Sequence, residues 1–303
     1  MEIHILLQQI ANGLVLGSTY GLIAVGYTMV YGIIGMINFA HGDIYMVSAY
    51  LTAIVLALVG AGLSPVLTLG LAFVAVVLLT SLFGFAVEKV AYRPLRRSPR
   101  LAPLISAIGM SLVLQNYVQI TQGARNQGVP TLIPGGLEIE IGSGVVGITW
   151  VQVLIVVISQ LAMGSLTWMI HRTALGRACR ATEQDAKMAA ILGINTDRVI
   201  SIVFVLGAAM AAVAGVLVTL NYGSFDFSIG FVTGIKAFTA AVLGGIGSLP
   251  GAMIGGILLG LSESLFSGFV NTDYKDVFAF SLLILVLLFK PSGLFGRPSV
   301  EKV

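Results

Sequence analysis

The sequence predicts an all-α, polytopic integral membrane bundle of roughly eight to ten transmembrane helices, some of them short or broken. Three observations carry that expectation. First, 57% of the 303 residues are hydrophobic and only 10% are charged, against about 25% charged in an ordinary soluble domain; the mean hydropathy is +1.00. Charges this sparse cannot solvate the surface of a soluble protein of this length. Second, the charges are segregated. No Asp, Glu, Lys or Arg lies between Glu2 and Asp43, Asp43 and Glu88, Arg100 and Arg125, Glu140 and Arg172, or Arg198 and Asp226. Each gap holds an apolar helix of ~20 residues, and the second holds two. Third, Gly, Pro and polar residues divide the apolar stretches, as in NFAHGD (38–43), GAGLSP (60–65) and GSLPG (247–251).

In chain order, apolar stretches fall near 8–33, 44–60, 66–88, 101–121, 150–170, 199–220, 236–247, 251–270 and 276–290. The first has room either for one long helix or for a second passage with residues 34–42. The start, MEIHILLQQI, has no Lys or Arg and does not read as a cleaved signal peptide. Stretch 236–247 is short for a full span and reads as re-entrant or broken. Stretch 276–290 lengthens if Lys290 reaches the interface. Pro250 rules out one continuous helix through 244–260. Gly247, Gly251 and Gly255, and likewise Gly256 and Gly260, recur at four-residue spacing and permit close helix approach.

Basic residues set the orientation. Segment 88–100 holds Lys89, Arg93, Arg96, Arg97 and Arg100; segment 171–198 holds Arg172, Arg177, Arg180, Lys187 and Arg198; the tail holds Lys290, Arg297 and Lys302. These regions belong on the cytoplasmic side. Segment 122–149, with Arg125 alone, belongs outside as a periplasmic loop, which places the N-terminus outside as well. Within it, alternation over Leu137–Ile141 and a PGG turn signal predict a small strand pair. The whole chain, 1–303, reads as a single transmembrane domain.

Several function classes fall away. There is no GxxxxGK[ST], HExxH or G-x-S-x-G. Three histidines and one cysteine make neither a metal cluster nor an internal disulfide. The chain is expected to bind no cofactor or metal and no nucleic acid, and an enzyme lacks a catalytic constellation. What stands out is TEQDAKMAAILGINTD, 182–197. Thr182 and Asp185 read as a capping box and Gly193 as a stop, giving a short helix over 183–192 in the most basic loop. Ala186, Ala189 and Ala190 make its apolar face weak for burial in lipid headgroups. Small residues suit close approach of a partner protein instead.

That loop resembles the cytoplasmic coupling loop of bacterial ABC importer permeases. There, a short helix sits in a groove of the ATPase. The family pattern is Glu-Ala-Ala followed later by Gly. Here Glu183 is followed by Gln184 and Asp185, with Ala189, Ala190 and Gly193 later. GSTYGLIAVGYTMVYGIIGMINFAHGDIYM (17–46), LISAIGMSLVLQNYV (104–118), GRACRATEQDAKMAAILGINTDRVI (176–200), KAFTAAVLGGIGSLPGAMIGGILLG (236–260) and KPSGLFGRP (290–298) are similar to the branched-chain amino acid subgroup, on its smaller permease. The resemblance implies import of leucine, isoleucine and valine across the bacterial inner membrane. It implies a second related permease, two ABC ATPases that use ATP and Mg, a periplasmic amino-acid binding protein and a lipid surround. It makes Glu183, Asp185, Ala186, Met188, Ala189, Ala190 and Gly193 the ATPase-coupling residues. A proton-coupled secondary transporter working through Asp43, Glu88, Asp226 and Glu263, and an ABC permease for another solute, are the competing readings.

Polar residues among the apolar stretches are candidates for the translocation pathway. A charge at the bilayer centre costs about 2.5–3.5 kcal/mol on insertion scales, so such residues face protein or water. Asn38, His41 and Asp43 read either as a surface turn with a helix cap or as a half-helix end facing the pathway. His41 alone reads as structural. Gln115, Asn116 and Tyr117 sit late in a span and are suited to interhelical hydrogen bonds. Glu263 needs a partner or an aqueous face. Asp226 and Lys236 flank an outer segment and are expected to face a binding protein or each other.

Overall fold

The computed structural model describes residues 3–60, 63–96, 98–99, 101–142 and 144–296. Arg97, Arg100, Arg297 and Lys302 of the basic segments lie outside the described residues. Among these residues, seven helices are long and apolar enough to cross a membrane. They are α1 (Ile3–Ile34), α2 (His41–Val59), α3 (Pro65–Val87, running on through a π turn Glu88–Tyr92), α4 (Leu101–Gln122), α5 (Trp150–Arg172), α8 (Thr196–Tyr222) and α10 (Leu249–Phe269). Two short apolar helices, α9 (Ile229–Gly244) and α11 (Lys275–Phe289), run beside them. At 16 and 15 residues they reach about 22–24 Å, less than a ~30 Å hydrocarbon layer. Two small helices, α6 (Ala174–Gln184) and α7 (Ala186–Ile191), connect α5 to α8.

Each end of the bundle is tied by polar contacts. Strands β2 (Gly136–Ile141) and β3 (Gly144–Thr149) pair antiparallel. The start of α1 is pinned to them by reciprocal bonds: Gln8 Nε2 donates to the Gly147 carbonyl at 3.0 Å, and the Gly147 amide donates to Gln8 Oε1 at 2.9 Å. The N-terminal end therefore shares a side with the 122–149 loop, as the charge distribution requires. The PGG turn signal is misplaced, however. Gly135 precedes β2, and the hairpin reverses at its other end, beyond Gly142, whose φ is +65°. Strand β1 (Gln127–Gly128) pairs with β4 (Ser224–Phe225) at the same end, where α8 finishes. At the opposite end the tail folds under α9. The amides of Leu294 and Phe295 donate to the carbonyls of Leu243 and Gly244 at 2.9 and 3.0 Å, satisfying acceptors that a helix C-terminus leaves open.

Stretch 8–33 is one helix of 32 residues rather than two passages. After Ile34 the chain turns at Gly35 (φ +71°) and re-enters the bundle. Helix α2 begins at His41, level with Gly26 of α1, roughly 12 Å inside the end of α1. The break starts at an exposed Gly35 and runs inward to Asn38 and Ala40, which are buried, and no side chain caps α2. Pro250 stands in the first turn of α10, after the loop 245–248 that separates it from α9. Its missing amide costs nothing there.

The predicted glycine spacing is a helix–helix seam. A Cβ on Gly17 would stand 2.6 Å from the Ile257 Cα, and one on Gly13 would stand 2.8 Å from the Leu261 Cα. From the other side, Gly256 and Gly260 press on the backbone of Gly21 and Gly17. On its second face α10 offers Gly251 and Gly255 to the backbone of α9. Only glycine lets α10 sit this close to two helices at once, and in lipid such close contact is itself a main source of helix association. Gly256→Leu is expected to lower the stability of the detergent-solubilised protein by about 1–3 kcal/mol through overpacking. Gly109→Leu, with open space around it, is expected to leave the thermal midpoint unchanged or slightly raised. Equal midpoints for the two variants would contradict the seam.

Candidate functional site

The face that the basic residues assign to the inside is built from α6 and α7. Thr173 caps α6, its Oγ1 accepting from the Gly176 amide at 3.3 Å. Gly176, Cys179 and Thr182 form the buried stripe of α6. The expected capping box is absent. Thr182 lies inside α6, its hydroxyl donating back to the Ala178 carbonyl at 2.8 Å. Asp185 is itself the cap of α7, with extended backbone (φ −159°, ψ 103°) and Oδ1 accepting from the Lys187 and Met188 amides at 2.8 and 3.0 Å. An extended Asp breaks the helix at its own position, so 183–192 is two helices meeting at a corner. Gly193 is the stop expected of it: φ is +88°, and the Ile194 amide reaches the Ala189 carbonyl at 3.0 Å, a glycine-dependent closure.

The residues of this corner face different ways. Ala189 is only 2% exposed and packs inward, so its small size serves the fold. Glu183, Asp185, Ala186 and Ala190 lie on the surface. Met188, Ile191 and Leu192 are 52%, 77% and 74% exposed and form an apolar ridge. Met188, Ile191 and Leu192 share one face by their spacing alone, and the corner at Asp185 leaves that face exposed.

A buried ion network links this corner to the membrane helices. Glu88, fully buried in the π turn after α3, accepts from Arg96 and from the Ser201 hydroxyl of α8, the latter at 2.8 Å. Arg96 also reaches Asp197, in the first turn of α8, at 2.6 Å. Asn195, two residues beyond Gly193, caps α8 by accepting from the Arg198 amide at 3.0 Å. Glu88 is thus an anchoring group in an ion pair.

Two cavities open on opposite sides of α1. The outer one, about 740 Å³, is lined by Gln9, Asn12, Thr19, Tyr20, Asn221 and Asp226 among others. At its floor Lys236 of α9 contacts Glu263 of α10 and Asp276 of α11, each at 2.6 Å. The Tyr20 hydroxyl donates to the second Glu263 oxygen at 3.1 Å. Lys236 is therefore buried and paired with Glu263 and Asp276, not with Asp226, whose Oδ1 instead caps Ser228. The inner cavity, about 560 Å³, lies under α6 and includes Gly32, Arg180, Glu183 and Pro250. Between them lie residues 21–27 of α1, all buried and in the lining of neither cavity.

The other candidates scatter. Asn38 is buried and accepts from the Tyr92 hydroxyl. His41 is buried beside Tyr27, ring centroids 4.7 Å apart, in a structural position. Asp43 is buried with neither oxygen in an aligned hydrogen bond; Ser111 and Gln115 of α4 face it. It stands in the first turn of α2 and close to Gly230 in the first turn of α9, where two helix N-termini favour negative charge. Asn116 is exposed on α4 and bonds its own helix at Leu112, 2.7 Å away. Of the predicted pathway set, Glu263 lines the first of these two cavities and the rest line neither.

A multi-pass helical membrane protein with cavities on opposite sides of a buried mid-section has the architecture of a transport component. The chain belongs to the family described as branched-chain amino acid transport system / permease component, which matches residues 9–287. It is 56% identical over 307 residues to the high-affinity branched-chain amino acid transport system permease protein BraD of Pseudomonas aeruginosa, covering 100% of this chain and 99% of that protein. It is 55% identical over 300 residues to the permease protein LivH of the same-named system in Escherichia coli K12, covering 98% and 97%. The LivM permease of that organism is 28% identical over 309 residues, covering 93% of this chain and 69% of LivM. No solved structure matches the chain.

Cys179, the sole cysteine, reports on the inner corner. Burial pushes its thiol up to about 11, with Glu183 adding to the shift and Arg180 opposing it. The thiolate is the reactive form, so maleimide labelling is expected to be slow at pH 7 and to rise about tenfold per pH unit up to pH 10. A rate that levels off near pH 8 would show an ordinary exposed thiol.

Proposed function

We propose that this chain is the smaller permease of an ABC importer that carries branched-chain amino acids across the bacterial inner membrane. A second, LivM-like permease completes the pathway. Two ATPases using ATP and Mg dock on the inner face, and a periplasmic binding protein delivers the substrate. Lipid surrounds the remaining helix faces. The observation that carries the reading is the pairing of two cavities, separated by a buried stretch of α1, with an exposed apolar ridge on α7 just before the start of α8. Alternating access requires the first feature, and an external motor requires the second. The names of the full-length relatives supply the substrate class.

In this reading α7 seats on the ATPase through Met188, Ile191 and Leu192, with Glu183, Asp185 and Ala190 beside them. ATP drives the cycle only by favouring one arrangement of the cavities over the other through that contact. Leucine uptake into vesicles holding the full complex is expected to need ATP and the binding protein and to survive collapse of the proton gradient. Ile191→Glu and Leu192→Glu are expected to cut uptake about tenfold, equal to a coupling loss of about 1.4 kcal/mol, while ATP hydrolysis continues. Wild-type coupling in both variants would remove α7 from the interface. Uptake by the isolated chain that vanishes with the gradient would make the chain a secondary transporter, with Asp43 the first carboxylate to replace.

A further inference from the structure

We propose that the floor of the outer cavity is a recognition site for the α-amino acid zwitterion: Lys236 takes its carboxylate, and Glu263 with Asp276 takes its ammonium. The proposal rests on the importer reading and adds the residues that read the substrate backbone. Buried ion pairs are weak contributors to stability, and apolar residues of similar volume commonly serve as well. Inside a membrane such groups mark a substrate or ion route by default. Lys236 and Glu263 are 5% and 3% exposed, yet they line a cavity of about 740 Å³, within the range of small-molecule sites.

The local chemistry is unbalanced in a useful way. One ammonium faces two carboxylates. Glu263 is fully engaged, with one oxygen on Lys236 and the other on Tyr20. Asp276 differs: it is 46% exposed, and although its Oδ1 stands 2.6 Å from Lys236, the approach lacks the alignment of a hydrogen bond. It is the displaceable partner. An incoming α-carboxylate replaces Asp276 on Lys236, and the released carboxylate together with Glu263 accepts the adjacent α-ammonium. A zwitterion brings both charges on one carbon, so the net charge of the site is the same before and after it binds. A carboxylate-only ligand displaces Asp276 and brings no ammonium for it, and an amine-only ligand forgoes the contact between Lys236 and an incoming carboxylate. The walls above this floor include Val15, Ile155, Val218 and Val232, an apolar surround suited to an aliphatic side chain.

The test uses the complete complex in nanodiscs, without the binding protein. Ligand binding is followed by saturation-transfer NMR with leucine, leucinamide and 4-methylpentanoate as probes. Leucine is expected to bind in the millimolar range, with the two truncated ligands at least about tenfold weaker. Asp276→Asn, at a half-exposed position, is expected to weaken leucine severalfold through loss of an ammonium acceptor, while 4-methylpentanoate, whose carboxylate no longer has a rival on Lys236, binds no worse than to wild type. Lys236→Met alone strands the Glu263 charge, so the neutral double variant Lys236→Met/Glu263→Gln accompanies it, with assembly checked by gel filtration. That variant is expected to lose the preference for leucine over both truncated ligands. Equal binding of the three probes to wild type, no leucine signal with wild type, or wild-type affinity in Asp276→Asn and the double variant would each overturn the site. ATP-dependent leucine uptake by the wild-type complex in vesicles is scored separately, and its absence would instead overturn the importer reading.

Discussion

Hydrocarbon offers no partner to a charge, and the arrangement of this molecule follows from where it places the few charges that its bundle encloses. Each is met by a different device. Glu88 is held by Arg96 and Ser201 at the inner end. Lys236 is held between Glu263 and Asp276 beneath the outer cavity. Asp43 has no cation among the described residues and stands instead at the N-terminal turns of α2 and α9, where aligned backbone dipoles are favourable to an anion. These devices require helices α1, α2, α3, α8, α9, α10 and α11 to meet at fixed heights, and that requirement ties the short elements into the bundle.

Close backbone approach is the second condition. Helix α9 spans too little of the layer to be held by length alone. It is clamped by Gly251 and Gly255 of α10 on one side and by Gly42 of α2 on the other. The inner part of the break, 38–40, has the same logic. Unpaired backbone is tolerated at depth only where protein surrounds it, and Asn38, Tyr92 and His41 fill that space. A packed core of this kind favours discrete arrangements over continuous flexing, which suits two cavities separated by a buried stretch of α1.

Much of this was legible in the sequence, and the limits were physical. Charge-free gaps locate helices because hydrocarbon excludes charge, so the long spans follow directly, and alternation over 137–141 gives the hairpin strand. Gly193 and Pro250 are legible because a positive φ and a missing amide permit few positions. The helix expected at 183–192 breaks at Asp185. Thr182 and Asp185 satisfy a capping-box spacing, but Asp185 is also a strong cap by itself, and only the tertiary seating of α6 through Cys179 and Thr182 decides between them. That break seats Ala189 inward and leaves Met188, Ile191 and Leu192 together on one exposed face. The partners of Lys236 were equally out of reach. Glu263 lies 27 residues away on another helix, and nothing local distinguishes it from Asp226, which is nearer in sequence but occupied in capping Ser228.

The two candidate regions lie at opposite ends of one continuous helix. Helix α8 begins at the Asn195 cap, immediately after the Gly193 stop, and runs unbroken for 27 residues to Tyr222. Its last turns, at Val218, Asn221 and Tyr222, line the outer cavity above Lys236, while its first turn holds Asp197 and Ser201 in the Glu88 network. On the proposed reading, a force on the α7 ridge enters α8 through a short loop that is stiffened at both ends by caps. Arg96 and Glu88 resist sliding of α8 against α3, so the motion left is a tilt about that network. A tilt about an inner pivot moves the far end of a roughly 40 Å helix more than the near end. The largest displacement then falls at the outer cavity, where the only half-exposed member of the charge cluster, Asp276, closes over Lys236.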